Sequence, residues 1–95
     1  MFGFAPGKAP AEPDGIVVAR VGDRRNIQVS WESVPGATGY ILRWGTEEDE
    51  MYFGCESKES TLKLGCFNAD TDYYFTVDAF NESGVTRSTR VVHVE

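Results

Sequence analysis

The residues able to do chemistry are few and scattered along this chain. His93 is the sole histidine. It stands in Val91-Val92-His93-Val94-Glu95, and its alternation with valines reads as an outward strand position. No Ser-His-Asp or Cys-His set assembles around it from spacing. Acids cluster twice, in Thr46-Glu47-Glu48-Asp49-Glu50 and in Asn68-Ala69-Asp70-Thr71-Asp72. Paired carboxylates can cleave glycosides, but only across a cleft that holds the sugar. Clustered oxygens can hold calcium, but Asp70-x-Asp72 is too short for a calcium loop. Both clusters therefore read as solvated loop acids. Glycine-rich phosphate loops and zinc spacings are absent. We expect no catalytic residue, no metal, no cofactor and no turnover by this chain.

Two cysteines remain, Cys55 and Cys66. In a small domain such a pair invites a disulfide. A turn near Ser57 to Ser60 would bring Cys55 beside Leu62, leaving Cys66 about four residues further. At ~3.3 Å per residue that is roughly 13 Å, beyond the ~7 Å between Cα atoms that a disulfide tolerates. We expect two free thiols.

The elements that would position these residues are strands. Gly15 to Gly22 reads as the first. Asn26 to Glu32 alternates with Ile27, Val29 and Trp31 on one face, and Tyr40 to Gly45 with Tyr40, Leu42 and Trp44. Met51 to Cys55 and Thr61 to Gly65 are two short strands around Glu56-Ser57-Lys58-Glu59-Ser60. Asp72 to Phe80 sets Tyr73, Phe75, Val77 and Ala79 on one face, and Thr86 to Val94 is the last strand. Seven half-apolar strands punctuated by turns predict an all-β antiparallel two-sheet sandwich. Residues 1–14 carry three of the four prolines and read as a flexible linker, with one domain over 15–95.

Composition narrows the function classes. The chain has 95 residues, 41% hydrophobic, with net charge -6. That supports one packed core and opposes nucleic acid or an anionic membrane surface as partner. A soluble monomer in isolation is expected. No apolar run approaches the ~18 residues of a membrane span. Met1 is followed at once by Phe-Gly-Phe-Ala-Pro, without the basic and apolar regions of a signal peptide. We expect a piece of a longer protein.

Four elements carry a family resemblance from about Pro13 to Glu95. These are Ile27-Gln28-Val29-Ser30-Trp31-Glu32, Gly39-Tyr40-Ile41-Leu42-Arg43-Trp44-Gly45, the run from Phe67 to Phe80, and the Asn81-to-Gly84 turn. Thr71, Tyr73, Phe75, Val77, Ala79, Asn81 and Gly84 follow the fibronectin type III pattern, with Phe67 in place of leucine and Ala69 in place of proline. The chain thus resembles a fibronectin type III domain, a seven-stranded immunoglobulin-like sandwich. The resemblance implies a core of Trp31, Tyr40, Leu42, Phe67, Tyr73, Phe75 and Val77. It also implies that Tyr73 bonds its hydroxyl to backbone a few residues upstream. Val21-Gly22-Asp23 lacks the arginine of the family's Arg-Gly-Asp adhesion tripeptide. Asn81-Glu82-Ser83 is a glycosylation sequon, meaningful only in a eukaryotic secretory setting.

Alternation also exposes an outer face. Tyr74, Thr76, Asp78 and Phe80 point away from the core, beside Ile41 and Arg43. The fourth strand adds Met51 and Phe53, or else Tyr52. We take Ile41, Arg43, Tyr52, Tyr74, Asp78 and Phe80 as a candidate interface, since apolar patches of this kind mark contacts. Its occupant could be a neighbouring domain or a sugar. Tyr73 to Thr86 and the connector Phe2 to Gly15 are similar to the C-terminal module of bacterial xylosidase and arabinofuranosidase-like glycoside hydrolases. That resemblance implies an accessory module of a secreted or periplasmic polysaccharide-degrading enzyme. Its implied partner is the catalytic domain of the same parent chain. Polysaccharide bound through Trp44, Tyr52 or Tyr74 is a second reading, and an adhesion or receptor domain a third.

Overall fold

The computed structural model describes residues 9–51, 53–65 and 67–95. Alternating apolar residues become strands because each can then bury one face. Ile27 and Val29 of β2 (Ile27–Ser30) are fully buried, while Gln28 between them is exposed. β2 lies between β1 (Val17–Arg20) and β5 (Thr61–Leu64) in an antiparallel three-stranded sheet. β3 (Gly39–Gly45) and β6 (Tyr73–Asn81) form the centre of the second sheet. β4 (Phe53–Ser57) pairs the outer side of β3, while β7 (Gly84–Thr86) and β8 (Val92–Val94) both pair β6. The inward faces meet in one core containing Ile27, Val29, Trp31, Tyr40, Leu42, Phe67, Phe75, Val77 and Ala79.

Tyrosines pin the ends of this core through their polar tips. The Val34 N–H donates to the Tyr40 hydroxyl at 2.8 Å, and the Asn68 N–H to the Tyr73 hydroxyl at 2.8 Å. Tyr73 itself is half-buried and edge-on to Phe67, with ring centroids 5.0 Å apart. The Arg20 guanidinium covers its other side, 5.7 Å from the ring centroid. Arg20 also donates to the carbonyls of Asn68, Thr71 and Glu95, tying β1 to the turn before β6 and to the last residue.

Several expectations change. The last strand is two strands, β7 and β8, separated by residues 87–91, so the described residues form eight strands rather than seven. β4 and β5 are not a paired hairpin; they belong to different sheets, and the chain crosses between them at Lys58 to Ser60. β4 also starts later than Met51. Phe53 sits directly opposite Trp44, so it shares the inner face and not the outer one. Cys55 is a half-buried free thiol. Cys66 lies outside the described residues, as do Tyr52 and residues 1–8 of the expected linker.

The rest of that linker packs on the domain. Pro10 and Pro13 are buried, and the Glu32 N–H donates to the Asp14 carbonyl. The Pro10 carbonyl accepts from the Thr86 hydroxyl. The Glu12 carboxylate accepts from the Thr89 N–H, the Thr89 hydroxyl and the Arg90 Nε. These bonds hold the Glu12 carboxyl below its ordinary pKa of 4.5, the Thr89 N–H contributing most. A depressed carboxyl stabilises the fold above pH 4.5, and that contribution is lost as pH falls through the lowered value. Acid titration should therefore loosen the strap before the core melts. The protection of the Thr89 amide, relative to its intrinsic exchange rate, should fall as pH drops through the lowered Glu12 value, and Glu12→Gln should abolish that pH dependence. An exchange rate for Thr89 that follows intrinsic chemistry across the titration would refute the assignment.

Candidate interaction face

The outer face of the larger sheet is set by register. Opposite residues are Gly39 with Phe80, Ile41 with Asp78, Arg43 with Thr76 and Gly45 with Tyr74. Beyond β6, Tyr74 meets His93, and Phe80 meets Val85. Ile41, Arg43, Tyr74, Asp78 and Phe80 therefore do lie on one face.

They do not form one surface. Asp78, expected to point into solvent, is 1% exposed, and Thr76 beside it is fully buried. The cause is the break in the last strand, whose backbone runs over this part of the face. The Ser88 N–H donates to Asp78 Oδ1 at 2.9 Å, and the Thr76 hydroxyl donates to the Arg90 carbonyl at 2.7 Å. Arg43 closes the site from β3 with a two-pronged contact, Nε to Oδ2 at 2.8 Å and Nη2 to Oδ1 at 3.0 Å. Such fork geometry suits guanidinium and carboxylate. Arg87 Nη1 stands further off, at 3.9 Å. Asp78 is thus a structural anchor for the 87–91 crossing and leaves the list of interface residues.

The anchor divides the face. On one side lie Ile41, Phe80 and Val85, the last 51% exposed. Phe80 lies across Gly39, where an added Cβ would stand 2.5 Å from the ring's Cζ. Gly39→Ala should therefore displace the Phe80 ring and cost about 1–3 kcal/mol, readable as a lower urea midpoint with shifted Phe80 ring resonances. An unshifted ring would contradict this packing. On the other side His93 stacks on Tyr74, centroids 4.9 Å apart and planes 22° apart. His93 Nε2 lies 3.3 Å from Asp72 Oδ2. His93 thus has an aromatic and an acidic contact. Among the described residues no group of three His, Cys, Asp or Glu side chains converges as a metal site.

Three contributors were invisible to alternation. Ser88 and Glu12 act through loop and strap geometry, and Val85 sits on a three-residue strand too short to show a period. The Asn81–Gly84 pairing closes a two-residue turn, with Gly84 at φ 150°.

Comparison places this architecture. No curated protein sequence matches the chain. Among solved structures, a Fn3-like protein from Clostridium thermocellum superposes with TM-score 0.80 at 20% identity, covering 93% of this chain and 94% of that one. The 6th fibronectin type III domain of human fibronectin type III domain containing protein 3 gives TM-score 0.78 at 23% identity, covering 93% and 86%. The FN1–FN3 domains of chicken CNTN1 give 0.72 at 28% identity, covering 90% of this chain and 32% of that longer one. The family model for the fibronectin type III domain matches residues 11–95, and the chain belongs to that family.

Proposed function

We propose that this domain is a non-catalytic interaction or spacer module of a longer protein. The observation that carries the reading is the open apolar part of the outer face, Ile41 and Phe80 continued by the half-exposed Val85. An apolar patch flanked by charge is the usual form of a contact surface. The strap supports the spacer role, because it holds the entering chain against β7 and the 87–91 crossing instead of leaving it as a loose tether. The resemblance of Tyr73 to Thr86 to modules of xylosidase and arabinofuranosidase-like glycoside hydrolases supplies the parent. We propose a secreted or periplasmic polysaccharide-degrading enzyme whose catalytic domain covers Phe80.

The test adds such a catalytic domain in trans and follows amide exchange. Protection centred on Ile41, Phe80 and Val85 supports docking; uniform exchange overturns it. Parallel titration with xylan and arabinan oligosaccharides addresses the carbohydrate-binding reading. Shifts confined to Trp44 or to the Tyr74–His93 stack would favour that reading over docking. The isolated domain should not hydrolyse an aryl glycoside, and measurable turnover would overturn the non-catalytic assignment.

A further inference from the structure

The larger sheet treats its two edges differently. Beside β7 the strap places Pro10, whose carbonyl accepts from the Thr86 hydroxyl, and proline cannot extend a hydrogen-bonded ladder. This is a usual way of blunting an edge. β4, at the opposite end of the strand order, has no further strand beside it among the described residues. Half of its backbone N–H and C=O groups point away from β3, as they must in any edge strand. It carries neither proline nor lysine in Phe53-Gly54-Cys55-Glu56-Ser57.

What stands on this edge specifies an occupant. Phe53, 62% exposed, stacks on Trp44 with centroids 6.2 Å apart and planes 17° apart. That pair offers an apolar ledge on the inner-face side of the edge. Gly54 and Glu56 occupy the outer-face side and are exposed, and an added Cβ on Gly54 would meet nothing closer than 3.5 Å. The surroundings are acidic: Glu47 to Glu50 precede the strand and Glu59 follows, all exposed, against Lys58.

We propose that β4 receives an extended segment of a partner protein as an added strand, one in which apolar and basic residues alternate. Alternation sets the segment's apolar side chains beside Phe53 and its basic ones beside Glu56. Main-chain hydrogen bonds supply affinity, and the side-chain pattern supplies selectivity. A second copy of this chain is the poorer occupant, because it would bring another acidic edge against this one. Glu56 stands directly opposite Ile41, so the two surfaces adjoin there, but the open ladder of β4 and Phe53 on the other face belong to the edge alone. Protection of β4 with Phe80 and Val85 unmoved tells the two proposals apart.

The experiment uses a lysine–valine alternating peptide as probe, with a glutamate–valine peptide as control, and records amide shifts and exchange. The expected result is slowed exchange at alternate residues from Phe53 to Ser57, with binding that weakens as salt is raised. Phe53→Ala and Glu56→Lys should each weaken binding about tenfold, with unchanged amide dispersion elsewhere showing the fold intact. Absence of binding, equal binding of the glutamate peptide, or shifts centred on Phe80 would each overturn the proposal. So would concentration-dependent protection of β4 without peptide, which would make a second copy the occupant.

Discussion

Arg43→Met is expected to destabilise the domain by about 3–5 kcal/mol, the range found when one member of a buried ion pair is removed. The cost follows from what remains. Asp78 is 1% exposed, and its two charge-assisted bonds to Arg43 would be lost, leaving the Ser88 N–H and the distant Arg87. The reverse change, Asp78→Ala, should cost less than Arg43→Met. The Arg43 side chain is 23% exposed and can turn its guanidinium toward water. Removing Asp78 does, however, orphan the Ser88 N–H, so the 87–91 crossing should loosen even in this variant. The double variant Arg43→Met, Asp78→Ala should be more stable than Arg43→Met alone, because no buried charge is left without a partner. Urea denaturation of the four proteins closes the cycle. Additive losses would show that the pair contributes nothing as a pair.

Trp31→Ala should cost about 3–5 kcal/mol, through lost burial and the cavity left behind. A small domain has roughly 5–15 kcal/mol in all, so this variant should be marginal at 37 °C. Trp31 is 5% exposed, follows β2 directly, and meets Tyr40 edge-on with centroids 5.3 Å apart. Its indole Nε1 is buried without a hydrogen-bond partner among the described residues. An unsatisfied buried donor costs about 1–3 kcal/mol. Trp31→Phe removes that donor while keeping most of the apolar volume, so its net loss should be under about 2 kcal/mol. Thermal melts of the two variants check this. A phenylalanine variant as unstable as the alanine one would mean that the indole nitrogen is satisfied in solution.

The sandwich was legible because it rests on a period of two. Ile27 and Val29, Tyr40 and Leu42, and Phe75, Val77 and Ala79 announce their inward faces one residue at a time, and each is buried. Tyr73 shows the limit of that rule. Alternation assigns it to the inner face, but its half-buried ring depends on Arg20, fifty-three positions away, which no local pattern connects to it. The acids at Glu47 to Glu50 were equally legible as exposed loop residues, since nothing apolar alternates with them.

The chain alone therefore determined its strands, its fold family and which side chains share a face, because backbone pleating makes alternate residues point the same way regardless of their surroundings. Tertiary structure alone decided which outward residues stay wet. Asp78 and Thr76 alternate as surface residues should, yet the 87–91 crossing and Arg43 bury them. Phe53 was placed by its pairing with Trp44, and the strap was tied down by β7 and the 87–91 crossing. Each of these outcomes depends on a partner distant in sequence. Hydrophobic patterning reports the preference of one residue for one side of its own strand, and it carries no record of what another segment lays over that side.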